Sequence, residues 1–224
     1  MKNDTNNPIK STLVALIALC AALCSTLLQA ETFREGVDYE LLQQPGKVEV
    51  PGKIEVREFF SFSCPPCFRP ESFTTEWKAK QADDVNFIMT PAAMRKDWEP
   101  LAHAYFVADA LGKLETIKPD LFEAIHVKNK NLYTQADLAG FFKGYGVSED
   151  DFNKLYNSFS VRVKVRQATA LAKTYRLRGV PAIVVNAKYL VKTQSGKTFA
   201  DLLDVVDFLV DKERAASKVA LSEQ

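Results

Sequence analysis

This chain has no large excess of positive or negative charge, no long apolar run and few histidines. Lys plus Arg number 29 and Asp plus Glu 28 in 224 residues, and there are two His. The balanced charge leaves no basic field for binding nucleic acid, and no apolar run reaches the ~20 residues of a membrane span. Hydrophobic residues at 47% and charged residues at 25% are ordinary for a globular protein, which excludes collagen and low-complexity disorder. The length fits one domain, or one domain with an insertion.

The first thirty residues have the pattern of a secretory signal. Lys2 and Lys10 form a positive amino-terminal region, and residues 13–24 form an apolar run that is short for a membrane span. Ala30 then provides the small residue of a cleavage site. We therefore expect export and cleavage after Ala30, which leaves a mature chain with 27 basic and 27 acidic residues.

Two other interpretations of this segment stay open. Weak apolar character continues to Leu28, so an uncleaved membrane anchor is an alternative. A lipoprotein site at Cys20 or Cys24 is less favoured, because a bulky leucine precedes each thiol.

Only two cysteines, Cys64 and Cys67, remain once the signal is removed. Disulfides persist in the compartments to which proteins are exported, but a bridge between such close residues closes too short a loop to stabilise a fold much. A zinc site needs four ligands, and the two histidines, His103 and His126, have no ligand-like spacing with the cysteines. The spacing therefore favours a redox-active pair over a structural disulfide or half of a zinc site.

Five short segments have the composition of β-strands, and the second is the densest in β-branched and aromatic residues. They are residues 47–50, 54–62, 85–90, 182–185 and 189–192. A helical stretch in which Phe73 and Trp77 share a face joins the second segment to the third, so we expect these two strands to be parallel. Residues 186–188 predict a tight turn between the last two strands.

Helical periodicity dominates residues 98–175, which predicts a small bundle, with Ser148 as the N-cap of one helix. Residues 199–209 form a last amphipathic helix, and the polar tail from Lys212 is expected to fray. The predicted fold is therefore α/β, a sheet domain with an inserted all-helical domain. The expected borders are 1–30 for the signal, 31–94 and 168–224 for the two parts of the sheet domain, and 95–167 for the helical domain.

The cysteine pair follows a strand and begins a helix, and this position gives it a chemical role. The thiolate is the reactive form of cysteine, and a helix amino terminus lowers the thiol pKa. Cys64 lies at that terminus and is expected to be the attacking sulfur, whereas Cys67, about one turn later, is expected to be the buried resolving partner. Pro65 fits the first helical position, where no intrahelical N–H is needed.

A second candidate site lies far along the chain, at Val180 and Pro181. Proline at the start of a strand is by itself a common edge marker. With the cysteine pair upstream, a cis Val180–Pro181 bond would place the Val180 backbone beside the sulfurs. Its N–H and C=O would then be able to pair with an extended substrate chain.

These features resemble the DsbA-type periplasmic thiol:disulfide oxidoreductases. The matching segments are residues 58–62, the Cys64–Cys67 pair, and residues 178–182 and 185–189, and the resemblance covers nearly all of the mature chain. It implies a thioredoxin-like fold with an inserted helical domain and a periplasmic location. It also implies transfer of the Cys64–Cys67 disulfide to unfolded, newly exported polypeptides, with no cofactor besides that disulfide. Re-oxidation is implied to come from a quinone-using membrane partner of the DsbB type.

The two central residues, Pro65 and Pro66, are expected to contact substrate together with Val180 and Pro181. The best-known members of the family have His as the second central residue, where this chain has Pro66. Both the missing imidazolium and the missing backbone N–H leave the Cys64 thiolate less stabilised. We therefore expect a higher Cys64 pKa and a milder oxidant than in the His-containing relatives.

Glu58 has two interpretations. It is either an edge or surface carboxylate, or a buried acid beneath the pair that relays the proton of Cys67. Relatives can carry a lysine on the neighbouring strand, near the position at which this chain has Met89. A buried carboxylate without a cation has a raised pKa, which suits proton transfer near neutral pH.

Three other functions stay open at this point. The first is a disulfide isomerase or reductase of the same compartment. Isomerases of this kind usually need a dimerisation module, and none precedes the sheet domain, which favours a monomeric oxidase. The second is a chaperone with incidental thiols, and the third is a dimer that pools its thiols on copper or zinc. His103 and His126 are expected to be surface or cap residues, and Phe62, Phe68 and Pro66 to form either an apolar rim near the pair or part of the core.

Overall fold

The computed structural model describes residues 33–68, 71–193 and 196–222. Within these ranges five strands form one sheet: β1 (Tyr39–Leu41), β2 (Ile54–Phe60), β3 (Val85–Pro91), β4 (Ala182–Val185) and β5 (Tyr189–Val191). The same ranges contain eight α-helices: α1 (Pro65–Phe68), α2 (Glu71–Lys80), α3 (Glu99–Ala110), α4 (Leu114–His126), α5 (Gln135–Lys143), α6 (Glu149–Tyr156), α7 (Phe159–Thr174) and α8 (Phe199–Ser222). The signal sequence expected over residues 1–30 lies outside the described residues. Among the described helices, none combines the length and the apolar character that a membrane crossing requires.

The sheet is mixed, with the strand order β1-β5-β4-β2-β3. β2 and β3 are parallel and place Glu58 opposite Met89, which confirms the predicted strand–helix–strand unit. β4 is antiparallel to β2 and places Ile183 opposite Glu58 on its other side. β2 thus has a strand on each edge, and all of its residues are buried. The cysteine pair therefore follows an interior, fully buried strand of the sheet.

Two strand assignments differ from the expectation. Residues 47–50 form no strand, and Glu49 in this segment instead binds the side chain of Glu55 through its N–H and that of Arg57 through its carboxylate. The first strand is β1, which pairs antiparallel with β5. A three-residue strand shows too little alternation to be recognised by itself, whereas β5, which is equally short, follows the tight turn after β4.

The predicted tight turn between β4 and β5 is confirmed. Asn186 and Ala187 both have left-handed backbones there, with φ of 51° and 49°. Such positive φ values match the right-handed twist of the two strands that the turn connects.

In the continuously described stretch between β3 and β4, five helices (α3 to α7) pack around a shared core, which confirms the helical insertion. The fully buried large side chains of this core include Leu121, Phe122, Leu138, Phe142 and Phe152. Thr134, Ser148 and Ser158 cap α5, α6 and α7 by accepting a hydrogen bond from a first-turn N–H. The Ser148 cap is therefore confirmed. The domain borders stay predictions, and the one at 167/168 falls inside α7.

Phe73 and Trp77 are expected to share a buried apolar face, but only Trp77 is buried. Trp77 is buried, contacts Phe87 edge-on and donates its indole N–H to Asp207 of α8 at 2.8 Å. Phe73, one turn earlier, is 49% exposed and lines a surface cleft between α2 and α8. The i, i+4 spacing identified the helix, but it did not indicate that α8 leaves Phe73 exposed.

The tail from Lys212 does not fray, because α8 continues to Ser222. Its anchor is Glu213, which is 8% exposed. The Glu213 carboxylate accepts hydrogen bonds from three side chains at the β4–β5 turn: Asn186, Lys188 and Tyr189. One polar residue of the tail, Glu213, thus binds the β4–β5 turn rather than solvent, which hydropathy alone does not reveal.

Candidate active site

The cysteine pair lies at the carboxyl end of β2, where the chain turns into α1. The Cys64 N–H donates to the Ser61 carbonyl (3.1 Å), and the Cys67 N–H donates to the Cys64 carbonyl (2.9 Å). Pro65 begins α1, at a position where a helix needs no N–H donor. Both Pro65 and Pro66 are exposed, whereas Cys64 and Cys67 are 7% and 2% exposed. The two prolines therefore form the outer surface beside the sulfurs.

The two sulfurs differ in acidity. A hydrogen bond from the Cys67 thiol lowers the pKa of Cys64 to about 7, against the opposing effect of burial. The pKa of Cys67 is raised, first because this bond to Cys64 holds its proton, then by burial, with the charge of Glu58 a smaller cause. The low Cys64 pKa was expected from the helix terminus, but α1 has only four residues and the neighbouring thiol is the leading cause.

The segment before β4 brings Val180 and Pro181 beside Cys64. The Val180–Pro181 bond is cis, and the Val180 carbonyl oxygen lies 3.3 Å from the Cys64 Sγ, which donates to it. Only the protonated Cys64 thiol can donate this bond, so the bond favours the thiol form of Cys64. The hydrogen bond from Cys67 has the opposite effect, because it favours the Cys64 thiolate. Val180 and Pro181 are both partly exposed. Their backbone is therefore accessible to a chain that approaches the sulfur.

Glu58 is buried rather than an edge or surface carboxylate: it lies on the interior strand β2 and 2% of its surface is exposed. Its partner in register is Met89, so the two side chains lie on the same face of the sheet. The Nζ of Lys118, on α4, lies 3.3 Å from the Met89 Sδ. A cation therefore reaches the side chain next to Glu58 from a helix rather than from the neighbouring strand.

His126 lies at the cysteine pair, which its position in the sequence did not indicate. It ends α4, and its Nε2 lies 2.7 Å from the carbonyl oxygen of Phe62. Its ring stacks on Phe68 with 5.3 Å between the centroids. Phe62 is 1% exposed and belongs to the core, whereas Phe68 is partly buried. Because Phe62 precedes the pair and Phe68 follows it, His126 contacts both flanks of the active-site segment.

His103 lies in the helical domain, and the expectation of a surface or cap position is wrong for it. The residue is buried, its Nδ1 lies 3.0 Å from the Tyr156 carbonyl oxygen, and its ring stacks on Tyr156. No group of three or more His, Cys, Asp and Glu within the described ranges is arranged to hold a metal ion.

The chain is similar to known proteins over nearly its whole length. The family model of the DSBA-like thioredoxin domain matches residues 76–204. The thiol:disulfide interchange protein DsbA of Pseudomonas aeruginosa is 35% identical over 206 residues, which are 92% of this chain and 97% of that protein. The protein of the same name from Pseudomonas syringae pv. tomato is 36% identical over 213 residues, or 95% of this chain and 100% of that protein.

Solved structures agree with this similarity. The crystal structure of Pseudomonas aeruginosa DsbA has a TM-score of 0.79 at 35% identity and covers 84% of this chain and 98% of its own. That of the oxidoreductase DsbA from Xylella fastidiosa has a TM-score of 0.76 at 38% identity and covers 80% and 97%. These relatives confirm the thioredoxin-like fold with its helical insertion, and they favour a disulfide-introducing enzyme over an isomerase or reductase. The chain belongs to the DSBA-like thioredoxin domain family and is a thiol:disulfide oxidoreductase of the DsbA type.

Proposed function

We propose that the chain introduces disulfide bonds into unfolded, newly exported proteins through the Cys64–Cys67 pair. The observation that carries the proposal is the asymmetry of the two sulfurs. Cys64 is the more exposed and has a pKa of about 7, whereas Cys67 is more buried and has a raised pKa. A sulfur of low pKa is the better leaving group in thiol–disulfide exchange. Cys64 is therefore suited to bind a substrate sulfur and then to release it.

The reaction begins when a substrate thiolate attacks the Cys64 sulfur of the oxidised pair. The Cys64–Cys67 bond breaks, Cys67 leaves as a thiolate and takes up a proton, and a mixed disulfide joins Cys64 to the substrate. A second substrate thiolate then attacks the substrate sulfur of that bond and expels Cys64. One substrate disulfide has formed and two electrons have passed to the pair. Of the two protons that the substrate thiols lose, Cys67 takes up one, and the other goes to solvent because Cys64 leaves as a thiolate.

Four other residues have roles in this proposal. Val180 and Pro181 would hold an extended substrate chain next to Cys64 through the Val180 backbone, and the exposed Pro65 and Pro66 would contact the same chain from the other side. These contacts need no particular substrate sequence, which suits an enzyme that acts on many unfolded chains.

Glu58 would relay the proton that Cys67 gains and loses. The carboxylate is buried on the strand that leads to the pair, and its charge acts on Cys67. A carboxylate so placed is suited to general acid–base work.

The setting of the reaction completes the proposal. A signal cleaved after Ala30 would deliver the chain to the periplasm, where its sheet domain (31–94 and 168–224) and helical domain (95–167) would act as a monomer. The Cys64–Cys67 disulfide would be its only redox group, and a quinone-using membrane partner of the DsbB type would restore it. The similarity to proteins named DsbA supports this setting.

Reduced ribonuclease provides the test. The oxidised protein should form disulfides in reduced ribonuclease stoichiometrically, and Cys64→Ser should abolish this activity. Recovery of scrambled ribonuclease without added oxidant would instead indicate an isomerase. Any oxidation or chaperone-like effect that survives Cys64→Ser at full strength would contradict the proposal, because Cys67 is the only other cysteine among the described residues and is the more buried of the two.

A further inference from the structure

A groove of about 580 Å³ lies beside the contact between Cys64 and Val180. We name it the 176–182 groove, after the segment that forms most of one wall. Pro66 of α1, Glu40 of β1 and residues 190–193 at the end of β5 complete the described lining. Because Pro66, Val180 and Pro181 belong both to this groove and to the proposed substrate site, a chain bound at Cys64 would extend into the groove.

Two arginines dominate the charge of the groove. Arg176 and Arg178 are both exposed, while Leu177 between them is buried and packs in the core with Tyr175. Arg176 has a left-handed backbone with φ of 52°, directly after the C-cap of α7. This turn and the buried Leu177 hold both guanidinium groups on the outer side of the segment that leads to Val180.

Little in the described structure neutralises these charges. Neither Arg176 nor Arg178 forms an ion pair with a residue in the described ranges. Lys192 adds a third cation to the lining. Its Nζ donates to the carbonyl oxygen of Gly36, a neutral acceptor that does not compensate the positive charge. Against these three cations, Glu40 is the one carboxylate that the described lining contains.

We propose that the 176–182 groove selects substrate segments that carry Asp or Glu next to the reacting cysteine. The inference deepens the proposed function, on which it rests, by naming a substrate class for the same site. An extended chain held at the Val180 backbone would place side chains near both guanidinium groups, and a guanidinium pairs with a carboxylate through charge-assisted hydrogen bonds. Acidic segments would be held longer and would be attracted from solution.

The preference must be local rather than a property of the whole surface. The chain beyond residue 30 carries 27 basic and 27 acidic residues, so its net charge attracts neither acidic nor basic substrates. Beside the sulfur, the described lining of the groove instead places three cations against one carboxylate. Removing the two arginines should therefore remove the preference, whereas removing two arginines elsewhere should not.

The test uses three short peptides, each with two cysteines flanked by Glu, Gln or Lys. Each is mixed with the oxidised full-length protein, and the second-order rate of reduction of Cys64–Cys67 is followed by acid quench and thiol alkylation. The groove variant is Arg176→Gln with Arg178→Gln. The matched control is Arg162→Gln with Arg166→Gln, which removes the same charge from two exposed positions on α7 outside the groove. Flanking charges also change the peptide thiols, but this effect is common to all three proteins and cancels between them.

We expect the Glu peptide to react roughly 3- to 10-fold faster than the Lys peptide at low salt, and the ratio to shrink at about 0.5 M salt. The groove variant should reduce the ratio to about the value that the same peptides show with a small uncharged disulfide, and the control variant should retain the wild-type ratio. A ratio that is the same for all three proteins would overturn the inference while leaving the proposed function intact. If no peptide is oxidised at all, the proposed function itself fails.

Discussion

The Nε2 of His126 lies 2.7 Å from the carbonyl oxygen of Phe62, and this contact joins the helical insertion to the active-site segment. A carbonyl oxygen can only accept a hydrogen bond, so the Nε2 of His126 must carry a proton. One of the two neutral tautomers and the imidazolium both meet this requirement. The ring also stacks on Phe68. One side chain of α4 thus contacts the residues on both sides of the pair. We expect these contacts to hold the one-turn geometry in which Cys67 donates to Cys64.

We expect His126→Ala to raise the pKa of Cys64 from about 7 toward that of an ordinary thiol, because a looser segment weakens the bond from Cys67. His126→Gln, which keeps a donor but not the ring, should raise it less. The pH dependence of thiolate absorbance near 240 nm measures the change. His103→Ala is the matched control, since His103 also bonds a carbonyl and stacks on an aromatic ring, but in the helical domain. An equal shift in both Ala variants would show that His126 acts only through general stability.

Pro66 is the second residue for which a specific change is expected. Pro66→His would restore a backbone N–H near the start of α1 and add an imidazolium beside Cys64. Both stabilise the thiolate, so the pKa of Cys64 should fall below about 7 and the potential should become less negative, by about 30 mV for each 1.4 kcal/mol. Equilibration with glutathione measures the potential. Pro66→Ala supplies the N–H alone and separates the two causes. A potential that is unchanged or more negative in Pro66→His would refute this account of the milder oxidant.

Glu58→Gln should change the pH profile of exchange in two separable ways. The charge of Glu58 helps to raise the pKa of Cys67, so its removal should shift the profile for Cys67 attack on the mixed disulfide to lower pH, by roughly 0.5–1 unit. If Glu58 also relays the proton, the plateau rate should fall. Stopped-flow decay of a glutathione mixed disulfide over pH gives both quantities.

Glu55→Gln is the control for this experiment. Glu55 is equally buried on β2, but it binds Arg57 and the Glu49 N–H rather than acting on the cysteines. We expect Glu55→Gln to lower stability and leave the pH profile in place. A profile that Glu58→Gln leaves unchanged would remove the proposed role of Glu58.

The sequence predicted those parts of the site that depend on neighbours along the chain. The dense β-branched and aromatic run before the cysteines located β2, and the two-residue spacing of Cys64 and Cys67 indicated redox chemistry. In each case the residue type is selected by its own backbone position or by a partner within a few residues.

The remaining contacts depend on segments that meet only after folding. Nothing in the sequence pattern around His126 or Lys118 relates α4 to the cysteines. Each residue is more than fifty positions from the pair along the chain and contacts the site only through the end of its side chain. Glu213 was missed for the same reason, since a polar helix tail looks solvated until its partners on another element are known. Hydrophobic periodicity describes a single element, whereas these contacts depend on the distance between elements.

The Glu213 carboxylate yields a prediction about stability. Burial raises the pKa of this carboxyl. Hydrogen bonds from Lys188, Tyr189 and Asn186 together lower the pKa by more than burial raises it, so the pKa lies below its usual range. A lowered native pKa means that the ionised group stabilises the fold above its unfolded pKa of about 4.3, and that this stability is lost as the pH falls through the native pKa. Glu213 should therefore contribute most at neutral pH.

We expect Glu213→Gln to lower the free energy of unfolding by about 1–3 kcal/mol at pH 7, because it removes the charge from buried hydrogen bonds to the β4–β5 turn. The deficit should shrink as the pH falls below about 4, where the wild-type carboxyl is itself protonated. Urea unfolding of the oxidised protein at several pH values measures both. Glu149→Gln is the matched control, since Glu149 is also paired with a lysine, Lys143, but at the surface, where such pairs contribute little. A deficit that stays constant from pH 7 to pH 3 would mean that Glu213 acts through packing and not through its charge.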